Sequence, residues 1–220
     1  MENMIARRRL CARIVLALVL LGVAVIALSP IRRPILRAAG RVLVVNDRIE
    51  LADAIVVMVD AGGPGVLEAA DLVHSGVAPR VAVFGEPPDA PVESEFRRRG
   101  VAYENAATRS VRDLRALGVN SVDLIPTYVV GSEDEAPVLA DWCDQHGFRS
   151  IIVVSTSDHS RRVRRMVHRS MKGHQTRVAA RSARYSFFDP DRWWQSRHGI
   201  RTEVVELQKL LFDIMRHPIS

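Results

Sequence analysis

The chain changes its hydrophobic pattern twice. Residues 14–31, "IVLALVLLGVAVIALSPI", run for eighteen positions without a charge and are apolar on every face of a helix. A surface helix of a globular domain would carry a polar face; this run predicts a single membrane-spanning helix. Beyond residue 42 the pattern becomes short apolar runs alternating with segments of helical spacing. The runs are "ADAIVVM" (52–58), "PRVAVFGE" (79–86), "VDLIPT" (122–127), "SIIVVST" (150–156) and "TRVAARS" (176–182). Between and after them, residues 67–78, 107–119, 132–147, 160–171 and 203–215 read as helices.

Near-continuous Val/Ile runs separated by helices predict an α/β fold with a parallel sheet and helices on both faces. The expected organisation is a basic flank at 1–13, a transmembrane helix at 14–31, a linker at 32–41 and one α/β domain at 42–220. Residues Glu86–Glu95, with Pro87, Pro88 and Pro91, read as a loop. There is no internal repeat.

Charge sharpens this picture. The net charge of +6 suggests a polyanion binder. Yet residues 1–40 hold seven arginines against one acid, Glu2, and the remainder balances at 24 basic and 24 acidic residues. No global basic field remains to hold nucleic acid. Arginines bracket the apolar span at 7–9 and 13 and again at 32, 33, 37 and 41, so the positive-inside rule gives a near tie. The short N-terminus favours the orientation that places the domain outside the cytoplasm. A cleaved signal peptide is the other reading of this segment, with Ala27-Leu28-Ser29 as its small-residue stretch. Cys11 and Cys143 are too isolated to imply a disulfide.

The local asymmetry is at "IIVVSTSDHSRRVRRM" (151–166). From His159 to Phe188 there are nine Arg or Lys and no acid. "STSDH" falls at the carboxyl end of a strand and the amino end of a helix. Free backbone N–H groups and the helix dipole favour an anion at such a junction. Ser155, Thr156 and Ser157 add hydroxyl donors, Arg162 a charge-assisted donor, and His159 a ligand contact or an acid–base group. Asp158 reads as the helix cap. Helical spacing places Arg161, Arg164, Arg165, His168 and Arg169 on one face, predicted to be a solvated basic stripe, with Arg162 pointing elsewhere.

Three further groups are candidates. Ser132 and Glu135 have capping-box spacing, and Glu135 is also placed to act as a base near His159. Trp193, Trp194 and Arg197 form either a hydrophobic cap or a ligand edge. Glu206 and Lys209, three apart on one helix face, are expected to pair. There is no HExxH, CxxC or GxSxG, and "AGGPG" is not a dinucleotide fingerprint, so no metal and no cofactor is expected.

These segments together resemble the ElyC/SanA/YdcF family of bacterial proteins. The residues that carry the resemblance are "ADAIVVM" before a glycine turn, "EAADLVHSGVAPRVAVFGE", "SEDEA", "VVSTSDHSRR" and "WWQSRHGIRTEVVELQKLL". It spans Leu43 to about Ile214. The family's usual arginine after the glycine turn is missing from "VDAGGPGVLEAA". The resemblance implies a Rossmann-like sheet and a place in the bacterial inner membrane. It also implies a link to cell-envelope integrity and the lipid-carrier stage of peptidoglycan synthesis. The implied site residues are Asp60, Gly62, Gly63, Ser132, Glu135, Ser155, Ser157, Arg162, Trp194, Arg197, Glu206 and Lys209, with His159 as the catalytic candidate. The expected partners are the membrane and an anionic small molecule or lipid-linked phosphate. The expected function is binding of that ligand; the alternatives are a phosphoryl or pyrophosphoryl hydrolase or transferase using His159, and a structural envelope protein with an inactive pocket.

Overall fold

Alternate residues of a strand face opposite sides, so a strand of consecutive apolar residues must be covered twice. A computed structural model, which describes residues 14–16, 29–85, 90–126 and 132–218, has this arrangement. Five strands, β1 (Ala54–Val57), β2 (Val81–Phe84), β3 (Val122–Ile125), β4 (Ser150–Ser155) and β5 (Arg177–Ser182), form one sheet. Their order is β3-β2-β1-β4-β5 and every pairing is parallel. Seven helices are described: α1 (Ser29–Leu43), α2 (Gly62–His74), α3 (Ala90–Arg98), α4 (Ala106–Ala116), α5 (Ser132–His146), α6 (Ser160–Ser170) and α7 (Arg197–Arg216).

On one face of the sheet Ile55, Val57, Val81, Val83, Ile152 and Val154 pack against Val66 and Ala69 of α2 and Leu114 of α4. On the other, Val56, Ala82, Phe84, Ile151 and Val153 pack against Leu139 and Cys143 of α5 and Val163 and Val167 of α6. The fold is therefore an α/β, Rossmann-like, doubly wound parallel sheet. Strand order reverses between β1 and β4, which opens a crevice beyond their carboxyl ends. Two glycines shape its rim. Gly62 has φ +45°, a conformation that favours glycine. Gly65 lies where an added Cβ would meet Ala61 Cβ at 2.4 Å and Val57 Cγ1 at 2.9 Å, so it lets α2 approach β1.

The outer edge of β5 is closed by Asn46 and Asp47, chiefly through their side chains. Asp47 donates its N–H to the Ala180 carbonyl (2.9 Å) and accepts the Ala180 N–H at Oδ2 (3.0 Å). Asn46 Oδ1 accepts the Ser182 N–H at 3.0 Å and the Ser182 hydroxyl at 2.9 Å.

Boundaries differ from the sequence pattern in four places. The expected linker at 32–41 is helical and belongs to α1, since "RRPILRAAGR" is rich in good helix formers. The expected loop Glu86–Glu95 is helical from Ala90, with Pro91 near the helix start and Glu93–Arg97 and Glu95–Arg99 pairs along it. Helix α2 begins at Gly62 rather than Leu67, so the glycines form its first turn. Helix α7 begins at Arg197 because the Ser196 side chain accepts the Gly199 N–H at 2.9 Å. Residues 17–28 of the expected span lie outside the described residues. Among the described residues no helix is long and apolar enough to cross a membrane.

Candidate functional site

The crevice is built by two turns that hold one another. After β1, Val59–Ala61 form a short 3-10 turn, and Asp60 reaches across to the turn after β4. Its Oδ2 accepts the Thr156 N–H (3.0 Å) and the Thr156 hydroxyl (2.8 Å). Its Oδ1 is buried and, among the described residues, accepts no hydrogen bond. Glu135 closes the turn from above: its Oε2 accepts the Val59 N–H at 3.1 Å. Its carboxylate thus serves a strand-end turn 76 residues away in sequence, a contact that its capping-box spacing to Ser132 does not reveal. Burial pushes the Glu135 pKa up to about 7, and the neighbouring Asp60 charge adds to this against the opposing Val59 hydrogen bond.

The α6 junction supplies the cationic side. His159 Nδ1 lies 2.9 Å from Asp158 Oδ2 and 3.3 Å from the Thr156 hydroxyl. Asp158 thus holds the imidazole and does not cap α6, which has no side-chain cap. Burial by itself would lower the His159 pKa. The hydrogen bond to Asp158 and the charges of Asp60, Glu206 and Asp158 outweigh it, and the net shift is upward. On its other side, His159 Nε2 is 3.5 Å from Glu206 Oε2. Arg162 Nε is also 3.5 Å from that same oxygen. Lys209 Nζ donates to Glu206 Oε1 at 2.7 Å, which is the expected pair. Glu206 is 4% exposed and Arg162 9%, so these two sit out of bulk water, while Lys209 is exposed at the rim.

Beside the cluster lies a cavity of about 650 Å³ between the start of α5, α6 and α7. Its wall mixes cations (Arg162, Arg169, Lys209, Arg216), the acids Glu133, Asp134 and Asp213, and apolar surface from Ala136, Pro137, Met166 and Phe212. Arg162 belongs to both the cluster and this wall.

The remaining expected residues are placed as follows. Ser155 is buried at the end of β4, with its hydroxyl directed to the Thr156 carbonyl at 3.4 Å. Ser157 turns away from the crevice. Its hydroxyl donates to the Phe188 carbonyl (2.9 Å) and its N–H to the Ser186 hydroxyl (3.0 Å), which fixes the following loop. Gly62 and Gly63 line the α2 start, with open space beside both. Trp194 is half-buried, edge-on to Trp193 at 6.0 Å, and Arg197 is exposed at the first residue of α7. Among the described residues, neither makes a hydrogen bond or ion pair to the His159 cluster. The Ser132 side chain lies outside the described residues. Among the described residues no group of three or more His, Cys, Asp or Glu is placed to hold a metal ion.

The predicted solvated stripe is corrected. Arg161 binds the carbonyls of Val42 and Val44, the latter at 3.1 Å, and Arg164 pairs with Asp47 at 2.8 Å. Arg165 and Arg169 face α7 instead, pairing with the two oxygens of Asp213 at 2.6 and 3.0 Å. The helix-wheel division failed because acids distant in sequence draw the long side chains to either flank of α6.

One buried group was missed altogether. Glu203 is 1% exposed, neither carboxylate oxygen has a hydrogen-bond partner among the described residues, and burial pushes its pKa up to about 7. The spacing of Glu203, Glu206, Leu210 and Asp213 is that of one helix face, and all four are buried. A face carrying three acids reads as solvent-exposed in sequence.

No family of known proteins and no curated protein matches the chain. Among solved structures, it is similar to a mycobacterial quinone oxidoreductase at 11% identity and a TM-score of 0.30, over 84% of this chain and 52% of that one. It is also similar to an aureusimine biosynthetic cluster reductase domain at 10% identity and a TM-score of 0.26, over 56% of this chain and 40% of that one. The chain thus spans about half the length of the structures it matches or less. Likeness of this degree bears on neither ligand nor activity.

Proposed function

We propose that this chain is a membrane-anchored factor of the bacterial envelope that binds a phosphorylated ligand, lipid-linked forms included. The observation that supports this most is the convergence of His159, Arg162 and Lys209 on one buried carboxylate, Glu206, at the β4–α6 junction. Three cationic groups gathered around one anionic oxygen pair are the donor set that a phosphate needs. The adjoining cavity adds cationic and apolar wall side by side, which suits a charged head with a greasy continuation. The apolar run 14–31 and the resemblance to the ElyC/SanA/YdcF family support the envelope setting, with a single pass through the inner membrane and the domain outside the cytoplasm.

The test is calorimetric titration of the detergent-extracted full chain with inorganic pyrophosphate and with a polyprenyl phosphate. Arg162→Ala is expected to weaken binding about ten- to a hundredfold, the loss of one charge-assisted bond. Arg164→Ala, whose partner is Asp47, is expected to leave binding unchanged. Equal losses in the two variants, or no binding by the wild type, would overturn the reading.

One arrangement favours a second reading, a hydrolase or transferase. Asp158 orients His159 through Nδ1, leaving Nε2 toward the crevice, with the raised Glu135 carboxyl nearby. Phosphate release from pyrophosphate or a polyprenyl diphosphate, abolished in His159→Ala, would establish that reading over simple binding.

A further inference from the structure

Glu206 occupies an unusual position for a salt-bridged acid. Its Oε1 has a full-strength partner in Lys209 at 2.7 Å. Its Oε2 is buried and, among the described residues, accepts no hydrogen bond, although His159 Nε2 and Arg162 Nε each lie 3.5 Å away. At that distance the oxygen is attracted by both cations and bonded to neither. Charge-assisted N–H···O bonds close to about 2.7–2.9 Å when geometry allows, so the carboxylate does not fill the space that it neutralises.

We infer that Glu206 is a built-in competitor: its carboxylate holds the place of the ligand's anionic oxygens and must be displaced or outcompeted when the ligand enters. The inference rests on the anion-binding reading above and adds a direction to it. A tethered carboxylate competes at high effective concentration. A singly charged anion offers the cations little more than Glu206 already does. A ligand carrying two or more negative charges on several oxygens can approach His159 and Arg162 closely while Glu206 stays with Lys209. The site therefore selects diphosphate-like groups over carboxylates and other monoanions. Lys209, on the same helix one turn further on, is exposed and gives the displaced carboxylate a partner at the rim.

The expected sign is the reverse of that for an ordinary binding residue. Glu206→Gln keeps the side-chain shape and removes the competing charge. In titrations of the full chain with inorganic pyrophosphate at pH 7 it is expected to bind at least about tenfold tighter than wild type, equivalent to about 1.4 kcal/mol. Its preference for pyrophosphate over acetate is expected to narrow. If the glutamine variant does not fold, Glu206→Asp keeps the charge, withdraws it by one methylene, and is expected to bind several-fold tighter. Weaker or unchanged pyrophosphate binding in a folded variant, with wild type still binding and Arg162→Ala still impaired, would overturn the competitor role alone. Absence of pyrophosphate binding in wild type and variants together would overturn the anion-binding reading, and this inference with it.

Discussion

Arg165 Nε lies 2.6 Å from Asp213 Oδ2, while Arg169 Nη2 lies 3.0 Å from Asp213 Oδ1. One carboxylate on α7 thereby binds two arginines on α6 and fixes the wall of the cavity. Burial alone would raise the Asp213 pKa, but the hydrogen bond from Arg165 and the charge of Arg169 hold it below the usual carboxylate range. A depressed pKa gives stability that is present above the unfolded value of 3.8 and lost as pH falls through the folded one. Asp213→Ala is expected to cost about 2–3 kcal/mol at pH 6, because it strands two half-buried cations. The gap to wild type should shrink toward pH 3, as measured by urea unfolding at both pH values.

Glu203 behaves in the opposite sense. Its folded pKa is raised from 4.5 to about 7, so folding favours the protonated acid. The corresponding stability is present below about pH 4.5 and lost as pH rises through 7. Glu203→Gln should therefore raise stability by about 2–3 kcal/mol at pH 8 and change little at pH 4.5. Thermal unfolding across this range checks it; an equal effect at both ends would mean that the carboxyl is not the group that loses stability.

On the proposed anion-binding reading, His159 links pH to binding. Its folded pKa is raised above 6.5, so the stabilisation from its charged form is complete below 6.5 and declines as pH rises through the folded value. Pyrophosphate affinity is expected to fall over the same interval. Asp158→Asn removes the hydrogen-bonded carboxylate and should move both the ring-proton titration of His159 and the midpoint of the affinity profile to lower pH. An unmoved NMR titration would show that Asp60 and Glu206, not Asp158, set the charge of the ring.

The sheet was readable because its chemistry is local: "AIVV", "VAVF" and "IIVV" are apolar on both faces and fit few other settings. The β4–α6 junction was readable for the same reason, since a strand end followed by a helix start is a sequence-local event. What escaped was set by partners remote in the chain. Glu135 looked like a cap because its spacing to Ser132 is visible, while Val59 is 76 residues away. Arg165 and Arg169 looked solvated because Asp213 lies 44 or more residues on. Glu203 was not singled out at all, because burial of an unpaired acid runs against every compositional expectation.

The side-chain bonds from Asn46 and Asp47 to the last strand bear on how this protein meets its own copies. A terminal strand ordinarily offers a row of unsatisfied amides and carbonyls that another chain can extend. Here the amides of Ala180 and Ser182 are already occupied by residues that cannot continue the ladder. A sixth strand, whether from this chain or a neighbour, would first have to evict them. On this flank the domain is terminated rather than merely finished, and sheet growth across β5 is closed to a neighbouring copy.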